Sequence, residues 1–378
     1  MKRKIIIFVF LQLIYCNSLY SAVITPAPPQ LNAKSYLVMD FNSGQILAGK
    51  NIDEKLPPAS LTKIMTSYIA ASELASGQIN LDDKVVVSEK AWKMPGSRMF
   101  IEVNKKVSVS DLLKGIIIQS GNDASVALAE YISGDETVFA QLMNQQAKKL
   151  GMTNSHFTDS TGLPNPQHYT TAHDLAKLAR ALIGNYPDVY AINSHKEFTY
   201  NNIKQRNRNR LLWMDSSVDG VKTGHTDEAG YCLVASALRD GMRLISVVMG
   251  AESDNARTSA NQALLNYGFR FFETKKIYTA SEIITTPRIW KGSERQLALG
   301  INKDLYVTLP RGQFENLKSK YDLPDKIIAP VKTGERVGKL KLVLDNKEIT
   351  SVPLVAKVTV AKAGIIGRIT DEIRLLLH

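Results

Sequence analysis

The sequence predicts an α+β domain, then a small all-β domain, then a terminal amphipathic helix. Three observations carry that prediction. Apolar runs around turn residues flank a helical centre that reaches from Pro57 to about Phe272. After about residue 280 the texture changes to short period-2 runs separated by Gly, Pro and Asp-Asn turns. The last stretch, AGIIGRITDEIRLLLH, places Ile365, Ile366, Ile369, Ile373, Leu376 and Leu377 on one helical face, with Arg368, Asp371, Glu372 and Arg374 opposite.

Taken in chain order, the first element is a targeting segment. Lys2, Arg3 and Lys4 precede the apolar run IIIFVFLQLIYC, and NSLYSA supplies small residues, so residues 1–22 read as a cleaved secretory signal. Cys16 follows the bulky Tyr15, a poor match to a lipoprotein cleavage site. A Pro-rich spacer, TPAPPQ, leads into the first domain, expected over 30–275. SYLVMDFNSGQILAGKN is a hairpin around Asn-Ser-Gly. PPASLTKIMTSYIAASELASG has Pro58 near a helix start and Gly77 as its stop. SVSDLLKGIIIQSGNDASVALAEYISG reads as two helices broken at Ser120-Gly121, and two amphipathic helices follow in DETVFAQLMNQQAKKLG and TTAHDLAKLARALIG. YCLVASALRDGMRLISVVMG is a pair of strands joined by Arg-Asp-Gly, and DNARTSANQALLNYGFRFFE is a long helix. The β domain is expected over 280–363, and the helix, too short and too charged to span a bilayer, over 364–378.

Composition narrows the function classes. The chain has 378 residues and a formal net charge of +11; removal of residues 1–22 takes Lys2, Arg3 and Lys4 and no acid, leaving +8. That balance suits an anionic membrane surface or wall polymer, but it lacks the aromatic-basic interleaving of a nucleic-acid site. Of two cysteines only Cys232 would remain, so no internal disulfide forms, and its apolar run YCLVASAL marks a buried hydrophobe.

Three short motifs carry the chemistry. Ser60 and Lys63 stand three apart at a helix start, within reach of each other. A serine hydroxyl needs a base, and a lysine becomes one when burial and neighbouring cations depress its pKa. Ser120-Gly121-Asn122 is a polar turn between apolar helices, able to relay a proton through Ser120 and hold an amide through Asn122. Lys222-Thr223-Gly224 precedes the paired strands, where an edge strand binds extended peptide, Gly224 admits a close backbone and the cation meets a carboxylate. A second Lys-Thr-Gly, residues 332–334, lies after Pro330 in the β domain and reads as a surface turn. The order Ser-x-x-Lys, Ser-x-Asn, Lys-Thr-Gly in an exported chain is far more specific than any one tripeptide.

With these motifs the chain resembles the low-molecular-mass penicillin-binding proteins that are D-alanyl-D-alanine carboxypeptidases. The resemblance runs from about Lys34 to the C-terminus through PPASLTKIMT, SGNDASVALAE, QRNRNRLLW, VDGVKTGHTDEAGYCLVASA and NYGFRFFET. It implies a β-lactamase/transpeptidase-like catalytic domain and removal of the terminal D-alanine from peptidoglycan pentapeptide stems. Ser60 would be acylated, Lys63 would be its base and Ser120 would belong to the catalytic set. Asn122, Lys222, Thr223, Gly224, His225 and, more loosely placed, Arg257 would bind substrate. The backbone N–H groups of Ser60 and His225 would hold the oxyanion, and β-lactams would acylate Ser60. No cofactor and no metal are implied. The terminal helix, residues 364–378, would hold the protein on the periplasmic face of the inner membrane.

Rival readings are a β-lactamase, a DD-endopeptidase and a non-catalytic wall-binding protein. No glutamate stands between Glu136 and Glu197, and HFTDSTGLPNPQHYTT offers only Asp159, which disfavours a glutamate-activated deacylating water. Three intact motifs argue against a non-catalytic role. His156, His168, His173 and His195 match no common zinc spacing. QRNRNR, 205–210, reads as a solvated basic loop that could flank the cleft, and no Gly-x-Ser-x-Gly elbow occurs.

Overall fold

The structure, a computed structural model, describes residues 25–376. The expected signal segment, residues 1–22, lies outside the described residues, as does Leu377 of the terminal apolar face.

Near each end of the first domain, apolar strands meet in one sheet. The strands β1 (Ser35–Asp40) and β2 (Ile46–Lys50) form the first hairpin. The helices α1 (Lys63–Ser76), α2 (Asn122–Ser133), α3 (Glu136–Lys149) and α4 (Ala172–Asn185) make the centre. Then β3 (Val218–Thr226), β4 (Gly230–Arg239) and β5 (Met242–Ala251) complete an antiparallel sheet of order β2-β1-β5-β4-β3. Asp240 and Gly241, both at positive φ, make the two-residue turn expected between β4 and β5.

Period-2 alternation divides the sheet's two faces. Leu37 and Met39 pack with Ile64, Met65 and Tyr68 of α1 and with Leu175 and Leu178 of α4. Tyr36 and Val38 pack the other way, against Leu264 and Leu265 of α5 (Asp254–Phe271). Residues 63–71 of α1 are all buried, so this helix runs through the interior and not along a surface. The helix pair broken at Ser120-Gly121 contains a π-helical turn over Gly115–Gln119, after which Ser120 adopts φ 67°.

The second domain opens with β6 (Phe272–Tyr278) paired to β7 (Leu305–Pro310). Beside them, β8 (Leu317–Asp322), β9 (Arg336–Leu344) and β10 (Lys347–Ala356) form an antiparallel meander over Leu297, Leu299, Leu340, Leu342 and Leu354. A polar knot ties the domains. The buried Asp40 carboxylate accepts from Ser43 Oγ at 2.8 Å and from Thr274 Oγ1 at 2.7 Å. Thr308 Oγ1 lies 2.7 Å from Ser43 Oγ and 2.9 Å from Thr274 Oγ1.

The last helix, α6 (Ile365–Leu376), is mounted by its polar side. Asp371 accepts from the Lys291 backbone N–H at 2.7 Å and pairs with Arg288 at 3.4 Å, and Glu372 pairs with the Lys291 ammonium. Its apolar face is bare: Ile366 is 83% and Leu376 81% exposed. No described helix is long and apolar enough to cross a membrane.

Candidate active site

The nucleophile motif sits on a strained approach. Ala59 has φ 48°, a left-handed conformation costly for a residue with a Cβ, and Ser60 follows it on a 3₁₀ turn, Ala59–Thr62, that feeds α1. Ser60 is therefore half-buried at the cleft surface while Lys63, the first residue of α1, has no exposed area. The Lys63 ammonium donates to Ser60 Oγ at 3.0 Å, Asn122 Oδ1 at 2.6 Å and the Thr161 carbonyl at 2.8 Å. Burial lowers its pKa to about 7; Asp159 pulls the other way and Arg208 adds to the lowering.

The second motif is brought against this lysine by the break between helices. Ser120, 2% exposed, has no hydrogen-bond partner for Oγ among the described residues, which leaves that hydroxyl free beside the cleft. Asn122 bridges, accepting from Lys63 and donating Nδ2 to the Pro95 carbonyl at 2.7 Å. The next residue, Asp123, pins the facing loop by accepting from the N–H groups of Met99 and Phe100 at 2.9 Å each. Gly96 and Ser97 of that loop thereby become one wall of the cleft.

The third motif is the outer strand β3. A Cβ on Gly224 would lie 2.8 Å from the Pro58 carbonyl oxygen and 3.2 Å from the Leu61 nitrogen. Only a glycine lets the strand come this close to the nucleophile's turn. Lys222 is buried and donates to the Thr223 carbonyl at 3.1 Å. Burial, then Lys63, Arg208 and Arg257, hold its ammonium well below the usual lysine range. Arg257, on α5, donates from Nη1 to the carbonyls of Gly224 (2.9 Å) and Cys232 (3.2 Å) and from Nη2 to Asp254 at 2.5 Å. The His225 ring stacks tilted on Tyr231, 4.0 Å between centroids.

A cleft of about 400 Å³ results, lined by Ser60, Ser97, Ser120, Arg208, Thr223 and His225, with Gly96, Gly224 and Arg257 completing it. Lys63, Asn122 and Lys222 stand immediately behind as buried partners. All nine residues expected from the motifs thus fall in one place. The second Lys-Thr-Gly, residues 332–334, is outside it, in an exposed turn after β domain strand pairing at Val331.

Sequence reasoning passed over two features. Arg208, read as part of a solvated run, lines the cleft, and partial burial followed by Arg257 holds its guanidinium below the ordinary range. Burial in QRNRNR alternates strictly, with Gln205, Asn207 and Asn209 inside and the three arginines outside, which is a period-2 signal carried by polar residues. The second feature is a clamp beneath the nucleophile. Asp159 Oδ1 accepts from Thr161 N, Thr161 Oγ1 and Gly162 N at 2.7 Å each, and Oδ2 lies 3.2 Å from His168 Nδ1. His168 Nε2 is 2.9 Å from Thr62 Oγ1. Burial alone would raise the Asp159 carboxyl, but His168 and the loop donors hold it well below the usual carboxylate range. The clamp aims the Thr161 carbonyl at Lys63, and its partners, 106 residues apart at Thr62 and His168, carry no local signature. His168 closes this clamp, and no group of three potential metal ligands occurs among the described residues. Cys232 is fully buried, and burial pushes its thiol up to about 11, so it is not a nucleophile.

Comparison with known proteins agrees with this geometry. Residues 22–253 match the family model described as D-alanyl-D-alanine carboxypeptidase, and residues 272–362 match that of the penicillin-binding protein 5 C-terminal domain. The chain is similar to D-alanyl-D-alanine carboxypeptidase DacC of Escherichia coli (strain K12), at 45% identity over 98% of this chain and 94% of that protein. It superposes on penicillin-binding protein 5 from Haemophilus influenzae with a TM-score of 0.87 at 43% identity, covering 89% of this chain and all of the other. Penicillin-binding protein D2 from Listeria monocytogenes, in its ampicillin-bound form, matches 64% of this chain and all of its own at 32% identity and a TM-score of 0.59.

Proposed function

The chain belongs to the D-alanyl-D-alanine carboxypeptidase family of penicillin-binding proteins, and from that premise we propose how its residues divide the work. Ser60 Oγ attacks the carbonyl between the last two D-alanines of a peptidoglycan stem while Lys63, in its neutral form, takes the hydroxyl proton. The C–N bond breaks, and Ser120 relays the proton held by Lys63 to the departing D-alanine amine. Water then attacks the Ser60 ester and gives its proton to Lys63; the C–Oγ bond breaks, the shortened stem leaves with a new carboxyl group, and Lys63 returns the proton to Ser60 Oγ. Thr223, Lys222, Arg208 and Arg257 surround the terminal carboxylate, Asn122 orients the stem amide, and the Ser60 and His225 N–H groups receive the oxyanion. Gly224 keeps β3 close enough for a substrate strand to bridge it and the nucleophile.

One observation carries this reading: a fully buried lysine, 3.0 Å from a half-buried serine, with its pKa lowered to about 7. A base poised near neutrality is what acylation by serine needs. Asp159 is the sole acid of the loop beneath, and its oxygens are engaged by Thr161, Gly162 and His168. That favours a carboxypeptidase over a β-lactamase, because no carboxylate there is free to activate a deacylating water. β-Lactams acylate Ser60 as substrate mimics, in keeping with the ampicillin-bound relative. The test is Ser60→Ala: it abolishes both D-alanine release from a pentapeptide and covalent labelling by a fluorescent penicillin. Labelling that survived would move the nucleophile elsewhere.

The division of the chain follows the same reading: signal 1–22, catalytic domain 30–275, β domain 280–363 and anchor 364–378. The protein is exported and held peripherally on the periplasmic face of the inner membrane, with the bare Ile365, Ile366, Ile369, Ile373 and Leu376 face in the acyl boundary. With Asp371 and Glu372 engaged by the β domain, binding rests mainly on apolar area and varies little with salt. Deleting 364–378 releases the protein from membranes and leaves hydrolysis of a small peptide unchanged; a truncated chain that still sedimented with membranes would refute the anchor.

A further inference from the structure

Lys63 Nζ has three oxygen partners, and they are not equivalent. Asn122 Oδ1, at 2.6 Å, and the Thr161 carbonyl, at 2.8 Å, can only accept. Ser60 Oγ, at 3.0 Å, can accept or donate. An ammonium fills all three places with its N–H groups. A neutral amine has two N–H groups and one lone pair. The two carbonyl oxygens take both N–H groups, and the lone pair is left facing the serine hydroxyl. Proton transfer from Ser60 then needs no rotation of the lysine, provided that both carbonyls hold still.

Each carbonyl is held from its far side. Asn122 Nδ2 donates to the Pro95 carbonyl at 2.7 Å, so the amide cannot turn an N–H toward Lys63 without losing that bond. The Thr161 carbonyl belongs to the Thr161–Gly162 peptide, a trans bond across which the C=O and the Gly162 N–H point opposite ways. Asp159 Oδ1 accepts from that N–H and from the Thr161 N–H, at 2.7 Å each. A carboxylate on one edge of the peptide thereby aims the carbonyl on the other edge at Lys63. Asp159 is steadied in turn by His168, and His168 by Thr62. The loop lies tight against the nucleophile's turn: a Cβ on Gly162 would be 1.8 Å from the Ala59 carbonyl oxygen.

We propose that Asp159 is a positioning residue for the base: by locking the Thr161–Gly162 peptide it keeps the lone pair of neutral Lys63 on Ser60 Oγ. The inference rests on Lys63 being the base and adds what directs it. The part Asp159 plays is geometric, because its charge raises the Lys63 pKa and so works against the neutral form. The other charged groups that act on Lys63 are Arg208, Asp123, Glu136 and Lys222.

The test measures non-covalent penicillin binding and acylation separately, in the full chain. Asp159→Ala lowers the acylation rate constant about tenfold and leaves the Kd of the non-covalent complex within about twofold. In a Lys63→Ala background the same substitution alters the residual rate by less than about twofold, because no lone pair remains to be aimed. Asp159→Asn, whose amide oxygen accepts the same two N–H groups, restores most of the rate. It also moves the acid limb of acylation to lower pH, since a charge that raises the Lys63 pKa is gone while the other four stay. If Asp159→Ala does not fold, Thr62→Val takes its place. It keeps the shape of the side chain, removes the hydroxyl that meets His168, and lowers the rate several-fold, again only when Lys63 is present. An unchanged rate in whichever of these two variants folds overturns the proposal. So does a loss as large without Lys63 as with it, which is what a purely structural part would produce. Near-normal acylation by Lys63→Ala alone would instead overturn the base assignment beneath it.

Discussion

The chain writes Lys-Thr-Gly twice, and the two copies share nothing beyond the letters. Lys222 is 4% exposed, faces Lys63 and two arginines, and has its charge disfavoured by burial. Lys332 is exposed, and its backbone N–H and carbonyl close a turn with Glu335. Thr223 lines a cleft, whereas Thr333 bonds Thr359 at 3.0 Å on the surface. A Cβ on Gly224 would strike the nucleophile's turn; one on Gly334 meets nothing within 4 Å, and that glycine is kept by its φ of 83°. One glycine is present for closeness and the other for backbone conformation. A tripeptide therefore carries chemistry only where a strand presses it against other motifs.

The contrast can be broken hardest through the residue that the first copy faces. Lys63→Ala should lower acylation by a penicillin about 10³-fold, as loss of a general base does, with circular dichroism unchanged. Near-normal acylation would show that Lys222 or another group serves as base. Next, Gly224→Ala should cost acylation roughly 10²-fold, because the new methyl displaces the Ser60 turn. Gly334→Ala should leave the rate untouched and lower stability by about 1 kcal/mol, from backbone strain alone. Equal kinetic losses would erase the distinction between the copies.

The pH dependence sharpens the same contrast. Lys63 must be neutral to act, and its pKa lies at about 7, below the ordinary 10.5. kcat/KM should thus fall as pH drops through 7, about thirtyfold between pH 8 and 5.5. Arg208→Gln, which removes a cation that lowers the Lys63 pKa, should move this limb to higher pH, and Lys332→Ala should not move it. For stability, the unfolded chain binds the extra proton between pH 7 and 10.5, so the penalty of burying Lys63 is relieved as pH rises through that window. The smallest effects close the series. Lys222→Ala should raise KM about tenfold, because the cleft loses a donor for the substrate carboxylate. Lys332→Ala should change stability by no more than about 0.5 kcal/mol and KM not at all.

Both domains, the terminal helix and the three motifs were legible because each is written locally: period-2 runs, helical faces, fixed spacings. The helix break at Ser120 was legible too, although its π-helical turn was not. What stayed hidden was built from distant parts. Thr161 reaches Lys63 only through its carbonyl, a group every residue has. Asp159 and His168 look like loop polarity until Thr62 closes the clamp from the other side. Arg208 was hidden because pattern reading sends asparagine outward, whereas Asn207 and Asn209 are buried and satisfied by backbone carbonyls.

The knot at Asp40 bears on how such genes can recombine. A buried carboxylate at the end of β1 accepts from the Thr274 hydroxyl, which in turn meets that of Thr308, and both threonines lie more than 230 residues downstream. A crossover anywhere between codons 43 and 274 would inherit the acid from one parent and those hydroxyls from the other. Progeny that received valine in place of Thr274 would leave the buried Asp40 carboxylate one donor short at the domain joint. The β domain is for this reason no freely interchangeable cassette: its first paired strands and the opening strand of the catalytic sheet have to match in side-chain chemistry.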